Sequence, residues 1–238
     1  MLCANSISAG AAILSLEHQL HLSDVLGQHS WHVDLTTNRF EFAGARTVAC
    51  TGYHLVGTAS AGAGSWLWGW ANPSGFPESL TALSAGVRDF GQHHGIPGLA
   101  TAEIPFGSLP GASDDPNRAA HLCLDAAKAV SGHWTAYQGD VGGGTIAAFL
   151  VEHPEFELPA PEPARTMRVL QQALAEIPIT DHRRALYGYA SRRPLAITFA
   201  PDQTTCTLTG RGFATVAEFD DRGRVTTMSG QLSAPTQR

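Results

Sequence analysis

Histidine and carboxylate side chains offer this sequence its most direct route to chemistry. The 238 residues include 11 histidines and 21 aspartates and glutamates. In residues 31–35, His32 and Asp34 alternate with apolar residues, so an extended strand presents both on one face. A histidine and a carboxylate can act as an acid–base pair when a cleft holds them within about 3 Å of each other. Our alternative hypothesis for function is therefore a hydrolase that uses His32, Asp34 or one of the histidines on the predicted helices.

A metal site is the second chemistry to consider. Glu17, His18 and His21 fall on adjacent turns of one predicted helix. The other candidates are two adjacent pairs, His93 with His94 and Glu152 with His153. None of these spacings matches H-E-x-x-H or another known ligand pattern, and solvated or hydrogen-bonded histidines are common in proteins. We therefore assign no metal site and expect no cofactor.

Other catalytic motifs are incomplete. Residues 82–86 lack the first glycine of G-x-S-x-G and fall inside a predicted helix rather than at a strand-to-helix turn. Residues 140–145 contain three glycines but no following lysine, which is typical of a hairpin rather than a phosphate loop. The acidic pairs at 114–115 and 220–221 are typical of a helix cap and a turn. An enzyme is thus the less favoured class.

A tryptophan-rich stretch provides the other candidate site. Trp66, Trp68 and Trp70 stand at i, i+2 and i+4, so a strand places all three rings on one face. Each ring buries roughly 150–250 Å², which favours a role in the core. Some rings can instead line a pocket, with Asn72 supplying an amide at the strand end. We predict a ligand site at Trp66, Trp68, Trp70 and Asn72, and a soluble non-catalytic domain that binds a small molecule or a protein.

The elements that hold these residues follow from apolar periodicity. A helix is predicted over about residues 11–26, followed by four strands that run from Trp31 to Ala71 as one antiparallel meander. Helices are predicted after Pro77 and around Pro116, the latter capped by Ser113 or Asp114. A hairpin over residues 134–151 completes the first half. The predicted class is α+β, with antiparallel meanders packed against helices.

The second half repeats this order of elements. Residues 152–163 are rich in proline and glutamate and form the best linker candidate. Helical patterns follow, then four strands over residues 195–229 with a hairpin turn at 220–223. We therefore place one domain at residues 1–153, a helix plus an antiparallel sheet with the tryptophan-rich strand, and a second at residues 164–238, a helix plus a four-stranded meander. Two separate modules and one shared sheet both fit the pattern.

Composition limits which classes of partner and which cellular compartments fit this sequence. The formal net charge of −6 disfavours nucleic acid and anionic membrane surfaces as partners. No stretch approaches the about 18 apolar residues of a membrane span, and the first residues lack the pattern of a signal peptide. The four cysteines are far apart and form no C-x-x-C motif, which favours free thiols. We expect a cytoplasmic protein.

Two aromatic motifs also carry a resemblance. A W-x-V-D-L-like hairpin is followed by a W-x-W-x-W-A-N strand and a proline-led helix. The chain thereby resembles a family of uncharacterised bacterial proteins, a domain of unknown function, over about residues 1–150. The resemblance implies no activity, and residues after Pro163 lie outside it as an appended domain. The matching residues are Trp31, Val33, Asp34, Leu35, Gly64, Trp66, Trp68, Trp70, Ala71, Asn72 and Pro77.

Overall fold

The computed structural model describes residues 11–109 and 114–232. Helices and antiparallel sheets together confirm the α+β class. The helices are α1 (Ala12–Leu26), α2 (Glu78–His93), α3 (Pro97–Ala100), α4 (Pro116–Ser131), α5 (Pro163–Glu176) and α6 (His182–Arg192). The strands are β1 (His29–Asp34), β2 (Arg39–Gly44), β3 (Thr47–Ala49), β4 (Gly52–Ser60), β5 (Ser65–Trp68), β6 (Glu103–Pro105), β7 (Ala136–Asp140), β8 (Thr145–Glu152), β9 (Ala196–Phe199), β10 (Thr205–Gly210), β11 (Phe213–Phe219) and β12 (Val225–Leu232).

The chain divides into two compact units. Within the described ranges, the first unit holds residues 18–157, and the second holds residues 11–17 together with residues 158–232. The division thus falls once inside α1 and once after the short 3-10 turn at Pro154–Phe156. Among the residues described, no helix has the length and apolar character needed to cross a membrane.

The first unit contains two antiparallel sheets rather than the one meander predicted for its first four strands. β1, β2 and β3 form a three-stranded sheet, whereas β4 and β5 belong to a five-stranded sheet in the order β6-β5-β4-β8-β7. The predicted meander is wrong because β4 pairs with β8, along a ladder from Gly52–Glu152 to Ser60–Thr145. β8 is apolar and buried along most of its length, so it takes a central place in the sheet.

A hydrophobic cluster lies on each side of the five-stranded sheet, and alternate residues of β8 enter the two clusters. Ala148 and Leu150 join Trp66, Trp68 and residues of α2, α3 and α4. Ala147, Phe149 and Val151 join the aromatic rings of β2 and the C-terminal part of α1. The sheet is therefore buried on both faces. Its central strands are mostly apolar, so a polar side chain on one of them is unusual.

The tryptophan strand is shorter than predicted. β5 ends at Trp68, and Trp70 lies in a 3-10 turn at Gly69–Ala71. A β-bulge between Leu55 and Gly57 interrupts β4, and the ladder between β4 and β5 stops at the Gly57–Trp68 pair. Trp70 therefore leaves the strand and is only partly buried, whereas Trp66 and Trp68 are 0% and 1% exposed.

The second unit contains the predicted C-terminal meander. Its four strands pair antiparallel in the order β12-β11-β10-β9, so each strand lies beside its neighbour in sequence. α5 packs on β11 and β12, and α6 packs on β9. The carboxylate of Glu17, 1% exposed, forms a buried ion pair with Arg193, with 3.1 Å between Oε2 and Nε. This pair fixes the start of α1 within the unit.

Two local predictions, the cap of α4 and the state of the cysteines, have different outcomes in the structure. Asp115, not Asp114, caps α4, because Pro116 starts the helix and the Asp115 carboxylate accepts a bond from the Asn117 N–H at 2.9 Å. Ser113 lies outside the described residues. The cysteines described, Cys50, Cys123 and Cys206, are free thiols, as predicted, and Cys3 also lies outside the described part.

Candidate functional site

Three side chains able to bind a metal meet at one end of the five-stranded sheet. They are His54 on β4, Glu152 at the end of β8, and His133 after α4, and together they are called the His54 cluster. Glu152 Oε1 lies 3.0 Å from His54 Nε2 and 3.0 Å from His133 Nδ1. One carboxylate oxygen therefore lies at hydrogen-bond distance from His54 and at ion-pair distance from His133.

The pairing of β4 with β8 brings His54 and Glu152 together. Gly52 pairs with Glu152 and His54 pairs with Leu150, so His54 and Glu152 are diagonal neighbours on one face. Gly52 also leaves room for the carboxylate, because a Cβ at this position would lie 3.1 Å from Glu152 Cδ and Oε2. The backbone register and a missing side chain thus position both groups.

A helix end positions His133. α4 ends at Ser131, and Gly132 adopts the left-handed conformation with φ of 77°, donating its N–H to the Lys128 carbonyl at 2.9 Å. Glycine adopts this conformation without the steric cost that a side chain adds. The next N–H, of His133, bonds Ser131 Oγ at 3.2 Å. The chain therefore turns at Gly132 and brings the His133 ring to the cluster, 5.6 Å from the His54 ring.

The cluster is partly open to solvent. The side chains of His54, Glu152 and His133 are 25%, 41% and 42% exposed, respectively. The Nδ1 atom of His54 is buried and has no hydrogen-bond partner among the described atoms. The nearest nitrogen and oxygen atoms of the three groups lie within 4.8 Å of one another. These distances allow either a hydrogen-bonded acid–base pair or coordination of one ion.

A pocket of about 360 Å³ opens beside the cluster, and we call it the His133 pocket. His133 and Glu152 line it together with His18, Trp134 and Phe156. The His18 ring stacks on Trp134 with 6.4 Å between centroids, and its Nδ1 lies 3.2 Å from Thr135 Oγ1. The pocket thus combines aromatic walls with a carboxylate and imidazole groups.

Of the catalytic pair predicted from the sequence, the structure places His32 within β1 and Asp34 at the end of β1, beside the turn that follows it. His32 is exposed, and Asp34 accepts bonds from the Thr36 N–H at 2.8 Å and from Thr37 Oγ at 2.7 Å. These hydrogen bonds, with that from Thr37 the strongest, lower the pKa of the Asp34 carboxyl. Asp34 therefore closes the turn between β1 and β2, and the catalytic role of His32 and Asp34 stays a prediction.

At the ligand site predicted on the tryptophan strand, the contacts that the structure shows are those of core packing and of a turn. Trp66 and Trp68 lie inside the core, and the Arg88 guanidinium lies 5.3 Å above the Trp70 ring. Asn72 Oδ1 accepts the Ser74 N–H at 3.0 Å in a turn. Other residues line the His133 pocket, and ligand contact at these four positions stays a prediction.

The other histidine candidates do not assemble. Glu17 pairs with Arg193, whereas His18 bonds Thr135, and His21 Nε2 lies 3.0 Å from the Glu155 carbonyl oxygen. Within the described part of the chain, the His54 cluster is the one group of three with ligand spacing.

Sequence reasoning named Glu152, paired with His153, but missed His54 and His133 as its partners, because the three residues lie on separate elements. The available signal was a histidine inside the apolar run of β4 and a glutamate that ends the apolar run of β8.

Comparison with known families identifies the family to which most of the first unit belongs. Residues 5–154 match DUF6882, a family of unknown function. The match spans more than half of the chain, so the chain belongs to this family, as the aromatic motifs predicted. No curated protein and no solved structure matches the chain. His54, His133 and Glu152 all lie within the matched residues.

Proposed function

We propose that this member of the DUF6882 family binds a small molecule in the His133 pocket. The observation that carries the proposal is the convergence of a carboxylate, imidazoles and aromatic rings from four segments of the chain on one concavity. Ligand sites in proteins are usually such concavities, with apolar walls and a few polar groups that orient the ligand. The pocket favours a small molecule over a protein as the partner.

The size of the pocket limits the ligand. Its volume of about 360 Å³ lies near the lower end of the about 300–1,000 Å³ typical of ligand pockets. It is more than twice the about 150 Å³ of an engineered cavity that binds benzene. Trp134 and Phe156 offer aromatic surface, and Glu152 and His133 offer polar contacts. The ligand is therefore a compact molecule with a flat apolar part and a polar end.

A thermal-shift screen of the full chain against small metabolites tests this proposal. A ligand present at a hundred times its Kd stabilises the folded protein by about 2.7 kcal/mol. For a chain of this size that raises the unfolding midpoint by about 5–10 °C. Ligands that pass the screen are then titrated against variants, each compared with its own ligand-free midpoint.

Two tryptophan variants separate the candidate sites. Trp134→Ala removes a wall of the His133 pocket, and Trp70→Ala removes a ring of the site predicted from the sequence. We expect the ligand-induced shift to vanish in Trp134→Ala and to persist in Trp70→Ala. The reverse result would place the ligand at the tryptophan strand and overturn the proposal.

Hydrolysis is the second candidate function, and one specific distance favours it. His133 Nδ1 lies 3.0 Å from Glu152 Oε1 on the wall of a pocket. A carboxylate that accepts the Nδ1–H orients the ring and leaves Nε2 to take a proton from water. In this proposal His133 is the general base and Glu152 its positioning residue.

Turnover of p-nitrophenyl acetate and p-nitrophenyl phosphate tests this second candidate. Loss of a general base costs about 10²–10⁴ in rate, so His133→Ala should lower turnover by at least about 10². His94→Ala, which removes an exposed histidine at the end of α2, should leave turnover unchanged. Loss of turnover in His32→Ala instead would support the pair predicted from the sequence. Absence of turnover by the unmodified chain on both compounds would count against hydrolysis.

The proposed compartment is the cytoplasm. Cys50, Cys123 and Cys206 are free thiols, and free cysteines are typical of reducing compartments. Fractionation of cells that express the full chain tests this, and recovery in an oxidising compartment would contradict it.

A further inference from the structure

We infer that His54, His133 and Glu152 form a binding site for one divalent transition-metal ion of the zinc type. The inference rests on the donor atoms, their separations and the elements that hold them. Binding of the ion does not depend on an organic ligand in the pocket, so this inference and the proposed function can fail separately.

The donor set selects the class of ion. Two imidazole nitrogens and one carboxylate oxygen are common zinc ligands, and the same set also suits iron(II), cobalt(II) and nickel(II). Calcium and magnesium instead prefer sites made only of oxygen atoms. A site of this composition should therefore bind zinc and leave magnesium in solution.

The separations of the donor atoms fit a single ion. Zinc–nitrogen and zinc–oxygen bonds of about 2.0–2.1 Å at a tetrahedral angle separate two ligand atoms by about 3.3 Å. Glu152 Oε1 lies 3.0 Å from both nitrogens, and all three ligand atoms lie within 4.8 Å of one another. Because these separations are close to the spacing that one ion requires, small rotations of the three side chains bring their donor atoms to bonding distance.

The backbone already holds the three residues in place. The Glu152 carbonyl oxygen accepts bonds from the Thr51 N–H at 2.8 Å and from Thr51 Oγ at 3.1 Å. Gly52 leaves space for the carboxylate, and Gly132 turns the chain so that His133 reaches it. Ligands fixed on ordered elements lose little freedom when an ion binds, which favours affinity.

Three protein ligands leave at least one coordination position open. Zinc sites with three protein ligands commonly hold water or substrate at the fourth position. His133 and Glu152 line the His133 pocket, so a molecule there can reach an ion that both residues hold. This last step rests on the proposed function, and it predicts ligands that carry an oxygen donor such as a carboxylate.

Calorimetric titration of the metal-stripped full chain with zinc chloride tests the site. We expect one ion per chain, and no signal for magnesium chloride under the same conditions. His54→Ala and Glu152→Gln should each weaken zinc binding at least about tenfold, because loss even of groups that only support a metal ligand costs about 10–100-fold. The matched control is His93→Ala, which removes an exposed histidine with a histidine neighbour and should bind zinc as the unmodified chain does.

Circular dichroism confirms that each variant is folded, and Glu152→Gln preserves the size of the side chain in case His54→Ala does not fold. Unchanged zinc affinity in Glu152→Gln and in His54→Ala, or no zinc binding by the unmodified chain, would show a hydrogen-bonded cluster only. If the chain binds zinc but the thermal-shift screen finds no organic ligand, this inference is sustained and the proposed function is overturned.

Discussion

Gly57→Ala tests the packing between β4 and the tryptophan strand. An added Cβ at Gly57 would lie closer than 3.0 Å to the Leu67 carbonyl oxygen and to two ring atoms of Trp66. The carbonyl belongs to the β4–β5 ladder, and the ring is fully buried, so neither can move freely. Overpacking of a well-packed core costs about 1–3 kcal/mol and occasionally more. We expect a loss of about 3 kcal/mol, because two rigid neighbours are met at once.

Gly62→Ala is the matched control, since a Cβ there meets only Ser60 Oγ at 3.9 Å. At such a site, replacing glycine by alanine changes stability by less than about 1 kcal/mol, often favourably. Urea unfolding followed by tryptophan fluorescence measures both variants. Free energies of unfolding for Gly57→Ala and Gly62→Ala within about 0.5 kcal/mol of each other would refute the close packing described here.

Three further perturbations test other parts of the structure. Arg193→Met leaves the buried Glu17 carboxylate without its nearest cation, so it should lower the stability of the second unit by about 3–5 kcal/mol. Hydrogen exchange of peptides from that unit measures the loss. Adding Glu17→Leu removes the unpaired charge and should restore much of this stability. Partial desolvation lowers the pKa of His121, although its side chain is 49% exposed and Asp125 opposes the shift, so the unfolded chain binds slightly more protons below about pH 6.5 and stability falls modestly as the pH drops through this value. His121→Gln should therefore make the urea midpoint fall less between about pH 7 and pH 5, and an unchanged slope would contradict the assignment. Burial raises the pKa of the Cys50 thiol to about 12, so iodoacetamide at about pH 8 should modify its peptide only after unfolding.

Local pattern was sufficient for the longer helices and for the C-terminal meander, but not for the short helix α3, whose residues were predicted as loop. The spacing of apolar residues predicted α1 and α2 within a few residues of their bounds, and the turn residues at 220–223 predicted the hairpin of β11 and β12. Each of these elements depends on neighbours in sequence, which is the information that periodicity carries.

Long-range pairing was beyond the reach of the same reasoning. The strand period indicates which residues of β4 and β8 share a face, but it does not identify β8 as the partner of β4. His54 and Glu152 become neighbours only through that pairing, and His133 joins them through the left-handed turn at Gly132. His32 and Asp34 lie two residues apart in sequence, so a local pattern could pair them; Asp34 stabilises a turn, and the catalytic role of the pair stays a prediction.

The most direct measurement of the central claim is a crystal structure of the zinc-soaked protein with anomalous scattering recorded at the zinc edge. The claim that the end of the five-stranded sheet is the functional site predicts one strong peak about 2.0–2.2 Å from His54 Nε2, His133 Nδ1 and a Glu152 carboxylate oxygen. A strong peak elsewhere, for example between His93 and His94, with none at the His54 cluster, would contradict it.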